Sequence, residues 1–357
     1  MAEHADYYEW RGEGEEAEIV LYAPDDAAFS LALHATRLPG VESPVYAAAS
    51  QREFGWTAVS TTHVAPDLLS PPLRGLLLVA GTSLENLRIN TRELAKKMLR
   101  DFPEAGASLP SPNEAGVGKF CESGARATAE DGLIEEEDLA LLGALPGDAD
   151  ALGRRALSAG LREREEGVRP ELGVVTEILD TEGAESLGLR TGALAVVVGV
   201  DAGELGRLAL AAHRERLQAR PEDFGAGSDL PAVPVERGEA QDLLAALYAA
   251  ANFADARAAR TVWILRRLLG EATGELEIRA AWRVGGVEER DGRLVHRRGL
   301  ALAGDGDALV SGGYAALGTG NMWSSAPPFG IPGSESGWPW EETGLLERLA
   351  ALNPPEG

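Results

Sequence analysis

The stretch GEAQDLLAALYAAANFADARAARTVWILRRLL, residues 238–269, decides the fold of this chain. Its apolar side chains keep one helical period throughout, and neither glycine nor proline interrupts its interior, which predicts the longest helix of the protein. Alanines 249–251 and Ala254 place small side chains along it, so that neighbouring backbones can approach closely. We therefore expect other elements to pack tightly against this helix.

Apolar runs on both sides of the helix predict the strands of the fold. The predicted strands are residues 17–22, 44–47, 75–80, 173–179, 193–199, 276–284 and 287–302. The last of them folds back at Asp291-Gly292, a dipeptide typical of tight hairpin turns. Shorter helices are predicted over residues 25–36, 90–102, 136–145, 148–165, 185–189, 202–220 and 341–352. The mixture predicts an α/β fold with central mixed β-sheets and a long alanine-rich helix.

The domain organisation follows from where these patterns stop. We expect one large domain over residues 17–340, preceded by a flexible N-terminus, residues 1–16. Residues 341–357 should form a short C-terminal helix and a tail. Residues 103–135 are rich in Gly, Pro, Ser and Glu and show little periodicity, which predicts a long loop or insertion inside the domain.

Charge and cysteine content exclude several classes of protein. The chain has 357 residues, with 57 acidic and 33 basic ones, for a formal net charge of −24. Nucleic-acid binders gain much of their affinity from Lys and Arg contacts to phosphates, so this charge argues against long RNA as a ligand. The single cysteine, Cys121, excludes an internal disulfide and a multi-cysteine zinc site. With neither a signal-like N-terminus nor a membrane-length apolar run, we expect a cytoplasmic protein without membrane contact.

Three segments carry a resemblance to a known family. Residues 229–235 read DLPAVPV, residues 250–257 read AANFADAR and residues 295–299 read VHRRG. In this order they resemble the DLPYLPL, AANYAWANR and VHRKGA motifs of the RtcB-type RNA-splicing ligases. Residues 39–47 and 185–192 also fit the family's order of motifs. The resemblance covers about residues 17–340 and implies an RtcB-like fold.

The resemblance also implies a chemistry. In this family a histidine attacks GTP, the guanylate passes to an RNA 3′-phosphate, and a 5′-hydroxyl then displaces it, as tRNA splicing and RNA repair require. Two manganese ions, held by an Asp, a Cys and several His, organise the phosphates. Such ions need imidazole, thiolate or carboxylate ligands.

The positions of the family's catalytic motifs carry other residues here. These places read PPLRG at 71–75, ELGVVTE at 171–177, GVDAGELG at 199–206, AWR at 281–283 and APP at 326–328. None of the five contains a histidine or a cysteine, and proline has no nucleophilic side chain to guanylate. We therefore expect a pseudoenzyme that uses neither GTP nor manganese as a cofactor. The alternative is an active RNA ligase with a relocated metal site, for which His63 and Asp67 are the candidate ligands.

The resemblance leaves a small set of candidate ligand-binding residues. They are Asn252, His296, Arg297, Arg298, Gly318, Ser324 and Ser325. The run His296–Arg298 could bind a phosphate or carboxylate through adjacent guanidiniums, or could be a solvent-facing strand end paired with Glu288 or Glu289. Asn252 could equally make hydrogen bonds within the core.

The remaining candidates come from glycine- and serine-rich segments. Gly318 lies in a glycine-rich segment, residues 312–320, that resembles the family's PGSMGT loop, with a structural turn as the simpler interpretation. Ser324 and Ser325 stand where the family has its SSCHGAGR motif. The expected partners are a nucleotide or phosphorylated ligand and possible protein partners.

Overall fold

The computed structural model describes most of the chain. The described residues are 9–13, 17–22, 26–49, 54–83, 91–165, 168, 170–174, 193–218, 230–283, 285–298, 300–303, 307–310, 315–318 and 321–323. Their helices are α1 (Asp26–Ala35), α2 (Thr91–Ser108), α3 (Glu114–Ser123), α4 (Arg126–Ala129), α5 (Glu136–Leu139), α6 (Arg154–Gly160), α7 (Gly203–Gln218) and α8 (Gly238–Thr273). Short 3-10 helices cover Pro66–Leu68 and Ala149–Leu152.

The strands follow in chain order. They are β1 (Glu9–Glu13), β2 (Glu18–Tyr22), β3 (Val41–Ala49), β4 (Phe54–Ser60), β5 (His63–Val64), β6 (Leu73–Ser83), β7 (Glu171–Val174), β8 (Ala193–Asp201), β9 (Val233–Pro234), β10 (Leu276–Arg283), β11 (Gly285–Arg290), β12 (Arg293–Arg298), β13 (Leu300–Ala303), β14 (Asp307–Val310), β15 (Ala315–Gly318) and β16 (Asn321–Trp323).

Two sheets position the candidate site. The larger has six strands in the order β1-β2-β3-β4-β12-β11 and is mixed, because β2 and β3 run parallel while the other pairs are antiparallel. The second is antiparallel, in the order β10-β6-β8-β7. β13–β16 form an antiparallel four-stranded sheet, and β5 pairs with β9. The predicted α/β class with mixed sheets is confirmed.

The long helix α8 is the centre of the packing, as its sequence predicts. It spans 36 residues and is capped at its C-terminal end by Gly274, whose positive φ of 71° suits a residue without a side chain. One buried cluster joins Val262 and Leu265 of α8 to Leu76 of β6 and Val196 of β8. Each such side chain stabilises the fold by roughly 1.5–3 kcal/mol through removal from water.

The alanines of α8 allow the close approach that the sequence predicts. A Cβ added to Gly147 would lie 2.5 Å from the backbone nitrogen of Ala249, so the two backbones are in direct contact. Here a glycine and a run of alanines are required together. Larger side chains on either segment would force them apart.

The hairpin predicted at Asp291-Gly292 is also confirmed. These two residues connect β11 to β12, with φ angles of 52° and 75°. Two consecutive left-handed residues match the twist of the flanking strands, which explains why Asp-Gly is favoured at this turn.

Several predicted boundaries were wrong. Residues 103–135 are not a long loop, because α2 continues to Ser108 and α3 and α4 follow. The glycines 116 and 118 lower the helical propensity of α3, but Asn113 caps it and Val117 and Phe120 are buried. Tertiary packing outweighs propensity here.

Other predicted elements are shorter than expected or differ in type. The helix predicted over 136–145 is only α5, and that over 148–165 divides into a 3-10 turn and α6. Residues 9–13 of the N-terminus predicted to be flexible form β1. The predicted helices 185–189 and 341–352 lie outside the described residues. Within the described chain, every helix is too short or too polar to span a bilayer.

Candidate functional site

The run His296–Arg298 lies on β12, between β4 and β11. His296 is fully buried, its Nε2 accepts the backbone N–H of Ala65 at 3.4 Å, and its Nδ1–H donates to the carbonyl of Leu294 at 3.2 Å. Burial lowers the pKa of His296 to about 4, so its ring is neutral at physiological pH. Both nitrogens are therefore occupied by the backbone rather than turned toward a ligand.

The contacts of Arg297 bear on the two interpretations of this run, a phosphate-binding site or an ion pair across the hairpin. Its guanidinium donates to Oε2 of Glu288 at 2.8 Å, so the pairing across the hairpin is present. The pair is not solvent-facing, because only 3% of the Arg297 side chain and 15% of the Glu288 side chain are exposed. Burial lowers the pKa of Arg297 to about 10. Among the residues that the structure describes, the Nε–H of Arg297 finds no hydrogen-bond acceptor.

Arg298 is half-buried and lies near a second arginine. Its charge contributes to lowering the pKa of Arg214 on α7, although burial is the larger cause. Arg214 donates to the carbonyls of Pro66 and Leu69 and lies 3.4 Å from Oδ1 of Asp67. The Arg214 guanidinium therefore serves mainly to hold the turn at residues 66–69 against α7.

Asn252 has its amide paired entirely within the core. Its Nδ2 donates to the carbonyls of Cys121 and Leu145, and its Oδ1 accepts the N–H of Leu145 at 2.8 Å. The side chain is fully buried in the middle of α8. Asn252 thus ties α3 and the segment around Leu145 to the long helix.

The three remaining predicted residues are Gly318, Ser324 and Ser325. Gly318 ends β15, where it pairs with Asn321 of β16. Ser324 and Ser325 lie outside the described residues, as do most of the glycines in 312–320 that flank them.

The sequence did not predict a group of charged side chains that is buried in the core. Asp255 of α8 accepts a two-point bond from Arg74 of β6, with Nε to Oδ1 at 2.6 Å and NH2 to Oδ2 at 3.0 Å. Arg283, at the end of β10, donates to the same Oδ2 at 2.6 Å. One carboxylate therefore receives two guanidiniums, and at most 9% of any of the three side chains is exposed.

This triad continues into the Glu288–Arg297 pair. Burial is the main cause that lowers the pKa of both Arg74 and Arg297. The charge of Glu288 partly raises the pKa of Arg74, and the charge of Arg283 lowers the pKa of Arg297 further. Burial alone would raise the pKa of Glu288, but its neighbouring guanidiniums outweigh that effect and lower it to about 2. Arg290, which is half exposed, lies 3.3 Å from Glu288. We call this set the arginine cluster: Arg74, Arg283, Arg290, Arg297, Asp255 and Glu288.

The cluster lies where the chain passes from one sheet to the other. Arg283 ends β10 of the four-stranded sheet, and β11 of the six-stranded sheet begins at Gly285. α8 covers this junction and contributes Asp255. A signal for the site was present in the sequence: Arg74 and Asp255 are charged residues inside otherwise apolar, buried runs.

Further arginines of α8 hold the helical segments around residues 110–165. Their acceptors are the backbone oxygens of Asp201 and Arg164 for Arg257, the carboxylate of Glu165 for Arg260, and the carboxylate of Asp138 for Arg266. The Arg260–Glu165 pair is two-pronged, and both side chains are 4% exposed. Arg257 also lies 3.7 Å from a carboxylate oxygen of Glu163 and 3.2 Å from one of Asp201, and these arginines act as internal cross-links.

His63 and Asp67, the candidate ligands of a relocated metal site, each have another partner. Asp67 faces Arg214, and Nδ1 of His63 lies 2.8 Å from Oγ1 of Thr62. Within the described ranges, no three His, Cys, Asp or Glu side chains are grouped as a metal site would require. Burial raises the pKa of the Cys121 thiol to about 12, so it is not a thiolate at physiological pH.

Neither a protein-family model nor a curated protein matches this chain.

Proposed function

We propose that this chain is an RtcB-like protein that no longer ligates RNA and acts by binding. Its expected ligand is a nucleotide, another phosphorylated molecule or a protein partner. The proposal rests on the motif resemblance of residues 229–235, 250–257 and 295–299, taken together with the charges found at the arginine cluster.

The observation that carries the proposal is the pairing of Asp255 with Arg74 and Arg283. By the motif resemblance, Arg74 stands in the segment of the family's DINCG metal motif, and Arg283 stands in the segment of its CHN motif. Both segments supply guanidiniums here instead of metal ligands. The positive charge that manganese would bring is thus already provided by the protein.

Electrostatic repulsion prevents the guanidiniums and a manganese ion from occupying this place together. A guanidinium is protonated at any physiological pH and has no lone pair to coordinate a metal. A divalent cation beside Arg74 and Arg283 would be repelled in a poorly screened interior. Asp255, the carboxylate between them, is already engaged on both oxygens.

The charge of the whole chain supports binding of a small ligand over a long RNA. A net charge of −24 repels a polyanion on average. At physiological salt, surface charges are screened beyond ~8 Å. A single phosphoryl group next to an arginine is therefore repelled much less by the distant acidic residues than a long RNA is. A cytoplasmic location belongs to the same proposal, with the single cysteine suiting a reducing compartment.

A guanylation assay tests this proposal. The full chain is incubated with α-labelled GTP and manganese, and then with RNA fragments that end in 3′-phosphate and 5′-hydroxyl groups. We expect neither a covalent guanylate adduct nor sealed RNA, with an active ligase as the positive control. A labelled adduct on any histidine would support the alternative of an active ligase with a relocated metal site.

Binding is measured separately by thermal unfolding. A ligand that binds only the folded state raises the unfolding temperature with concentration. Guanosine nucleotides and co-purifying proteins are compared in the same buffer. A protein that shows no adduct but a saturable shift with one of them fits the proposal.

A further inference from the structure

The arginine cluster carries more positive than negative charge. It contains four guanidiniums, from Arg74, Arg283, Arg290 and Arg297, against two carboxylates, from Asp255 and Glu288. Within the described part of the chain, that is an excess of two positive charges in a protein whose formal net charge is −24. Three of the four guanidiniums are buried, with 7%, 9% and 3% of their side chains exposed for Arg74, Arg283 and Arg297.

This excess is costly unless something compensates it. Removing a charge from water is strongly unfavourable, and a buried ion needs a partner of opposite charge to offset that cost. Asp255 serves two guanidiniums at once, so Arg74 and Arg283 share a single negative charge. Burial is the main cause that lowers the pKa of Arg74, the charge of Asp255 raises it, and the charge of Arg283 lowers it again.

Unused donors occur at the same place. The Nε–H groups of Arg283 and Arg297 are buried and have no hydrogen-bond acceptor in the described part of the chain, whereas both Nε–H and NH2 of Arg74 are engaged. A buried donor without an acceptor destabilises the fold, because its lost hydrogen bonds to water are not replaced. Arg283 therefore combines an unused donor with a counter-charge that it shares with Arg74.

We propose that the arginine cluster binds a small oxyanion, such as a phosphoryl group, without a metal ion. An oxyanion supplies the missing negative charge and accepts from guanidinium N–H groups in the two-point geometry that arginine favours. Arg283 and Arg290 are the members nearest the surface, since Arg283 also donates to the carbonyl of exposed Gly143 and Arg290 is half exposed.

This inference rests on the proposed function, because it names the chemical class of the ligand. The two fail separately. A guanylate adduct would contradict the loss of ligation and leave oxyanion binding untouched. An absent response to phosphate would contradict only the oxyanion site.

The test is an anion titration of the full chain with chelator present. Thermal unfolding is followed while inorganic phosphate replaces chloride at constant ionic strength and pH. The account predicts a saturable rise in unfolding temperature in the low millimolar range or below. Broadening of the phosphate ³¹P resonance by the wild-type protein is the direct readout, and no broadening would overturn the proposal.

The informative variant is Arg283→Met. It leaves Arg74 with Asp255 and Arg297 with Glu288, so that each carboxylate keeps a guanidinium and folding should be preserved. The phosphate response should weaken at least tenfold. The matched control is Arg293→Met, an exposed arginine of the same hairpin that pairs with Glu42, and it should respond as wild type does.

Two further comparisons close the design. If Arg283→Met does not fold, Arg297→Met removes the same excess charge while Glu288 keeps Arg290. Guanosine monophosphate is compared with guanosine to separate a nucleotide's phosphoryl group from free phosphate as the source of the oxyanion. A response to guanosine equal to that of the monophosphate, or a phosphate response unchanged in both variants, would overturn the proposal.

Discussion

Arg74 and Asp255 lie 181 residues apart in sequence and are joined by two hydrogen bonds of 2.6 and 3.0 Å in the core. The pair links the central strand β6 to the long helix α8. Arg283, on the neighbouring strand β10, binds the same carboxylate. The charge of Asp255 therefore holds two adjacent strands of the four-stranded sheet, β6 and β10, to the helix.

The first prediction is that Asp255→Asn is severely destabilising. The amide retains the shape of the side chain but leaves two buried guanidiniums without a counter-charge, which costs ~3–5 kcal/mol. Chemical denaturation of the variant measures this loss. Asp242→Asn, at an exposed position on the same helix, should change the unfolding free energy by less than ~0.5 kcal/mol. Equal effects at the two positions would contradict a structural role for the charge.

The second prediction concerns Asn252, the amide that ties α3 to α8. Asn252→Asp should be more damaging than Asn252→Ala, although Asp is nearly the same shape as Asn. The carboxylate cannot donate to the carbonyls of Cys121 and Leu145 and would bring a buried charge against them. We expect a loss of ~2–4 kcal/mol for the alanine variant and more for the aspartate. The order of the two unfolding free energies is the measurement, and the reverse order would contradict the assigned contacts.

The third prediction concerns the start of α7. Gly203 has a φ of 59°, and the carboxylate of Glu163 lies against it while accepting the N–H of Glu204 at 2.7 Å. A Cβ on Gly203 would overlap that carboxylate. Gly203→Ala should therefore cost ~1–3 kcal/mol from strain alone, and more from the displaced Glu163.

Gly118 provides the matched control for that substitution. It lies inside α3, and a Cβ there would meet no atom within 4 Å. Gly118→Ala should stabilise the protein by ~0.5–1 kcal/mol, because alanine favours the helix. A similar effect of alanine at both glycines would show that the contact at Gly203 is not as described.

How much of this fold could be predicted depended on whether the signal was local. The helix α8 was predictable because a helical apolar period over more than thirty residues fits few other structures. The Asp291-Gly292 turn was predictable because tight hairpin turns need positive φ angles, which Asp-Gly readily adopts. The helix α3 was not predictable, because its two glycines lower its helical propensity and its stability comes from the packing of Val117 and Phe120.

The candidate site was less predictable, for a physical reason. Asp255 lies between Ala254 and Ala256 in a run that reads as core, and nothing local indicates a partner 181 residues away. The one pair that the sequence did suggest, Arg297 with a glutamate of the opposite strand, is near in sequence and is present. Its burial could not be predicted from the hairpin alone, because it depends on what packs over the strands.

The fourth prediction is a pH dependence set by His296. Its folded pKa of about 4 lies below the ordinary histidine value of 6.5, so the unfolded chain binds more protons between these values. The unfolding free energy therefore falls as pH decreases from 6.5 toward 4, by ~3 kcal/mol in total and at most ~1.4 kcal/mol per pH unit for this group. Burial also lowers the pKa of His213, which adds to the same trend.

Denaturation of wild type and His296→Gln at several pH values tests this origin. The variant should be less stable than wild type by a constant amount above pH 7 and should approach wild type as pH falls through the window. Glu288, with its pKa lowered to about 2, loses its contribution only below 4.5, the ordinary pKa of a glutamate. A difference between the two proteins that does not change with pH would show that His296 is not the titrating group.

The central claim is that guanidiniums, not metal ions, neutralise this centre, and manganese binding tests it most directly. Electron paramagnetic resonance distinguishes free from protein-bound Mn²⁺ during a titration of the full chain. The account predicts no tight, stoichiometric site, so that the signal of the free ion persists at micromolar concentrations. Loss of one or two equivalents of that signal at micromolar metal would contradict it.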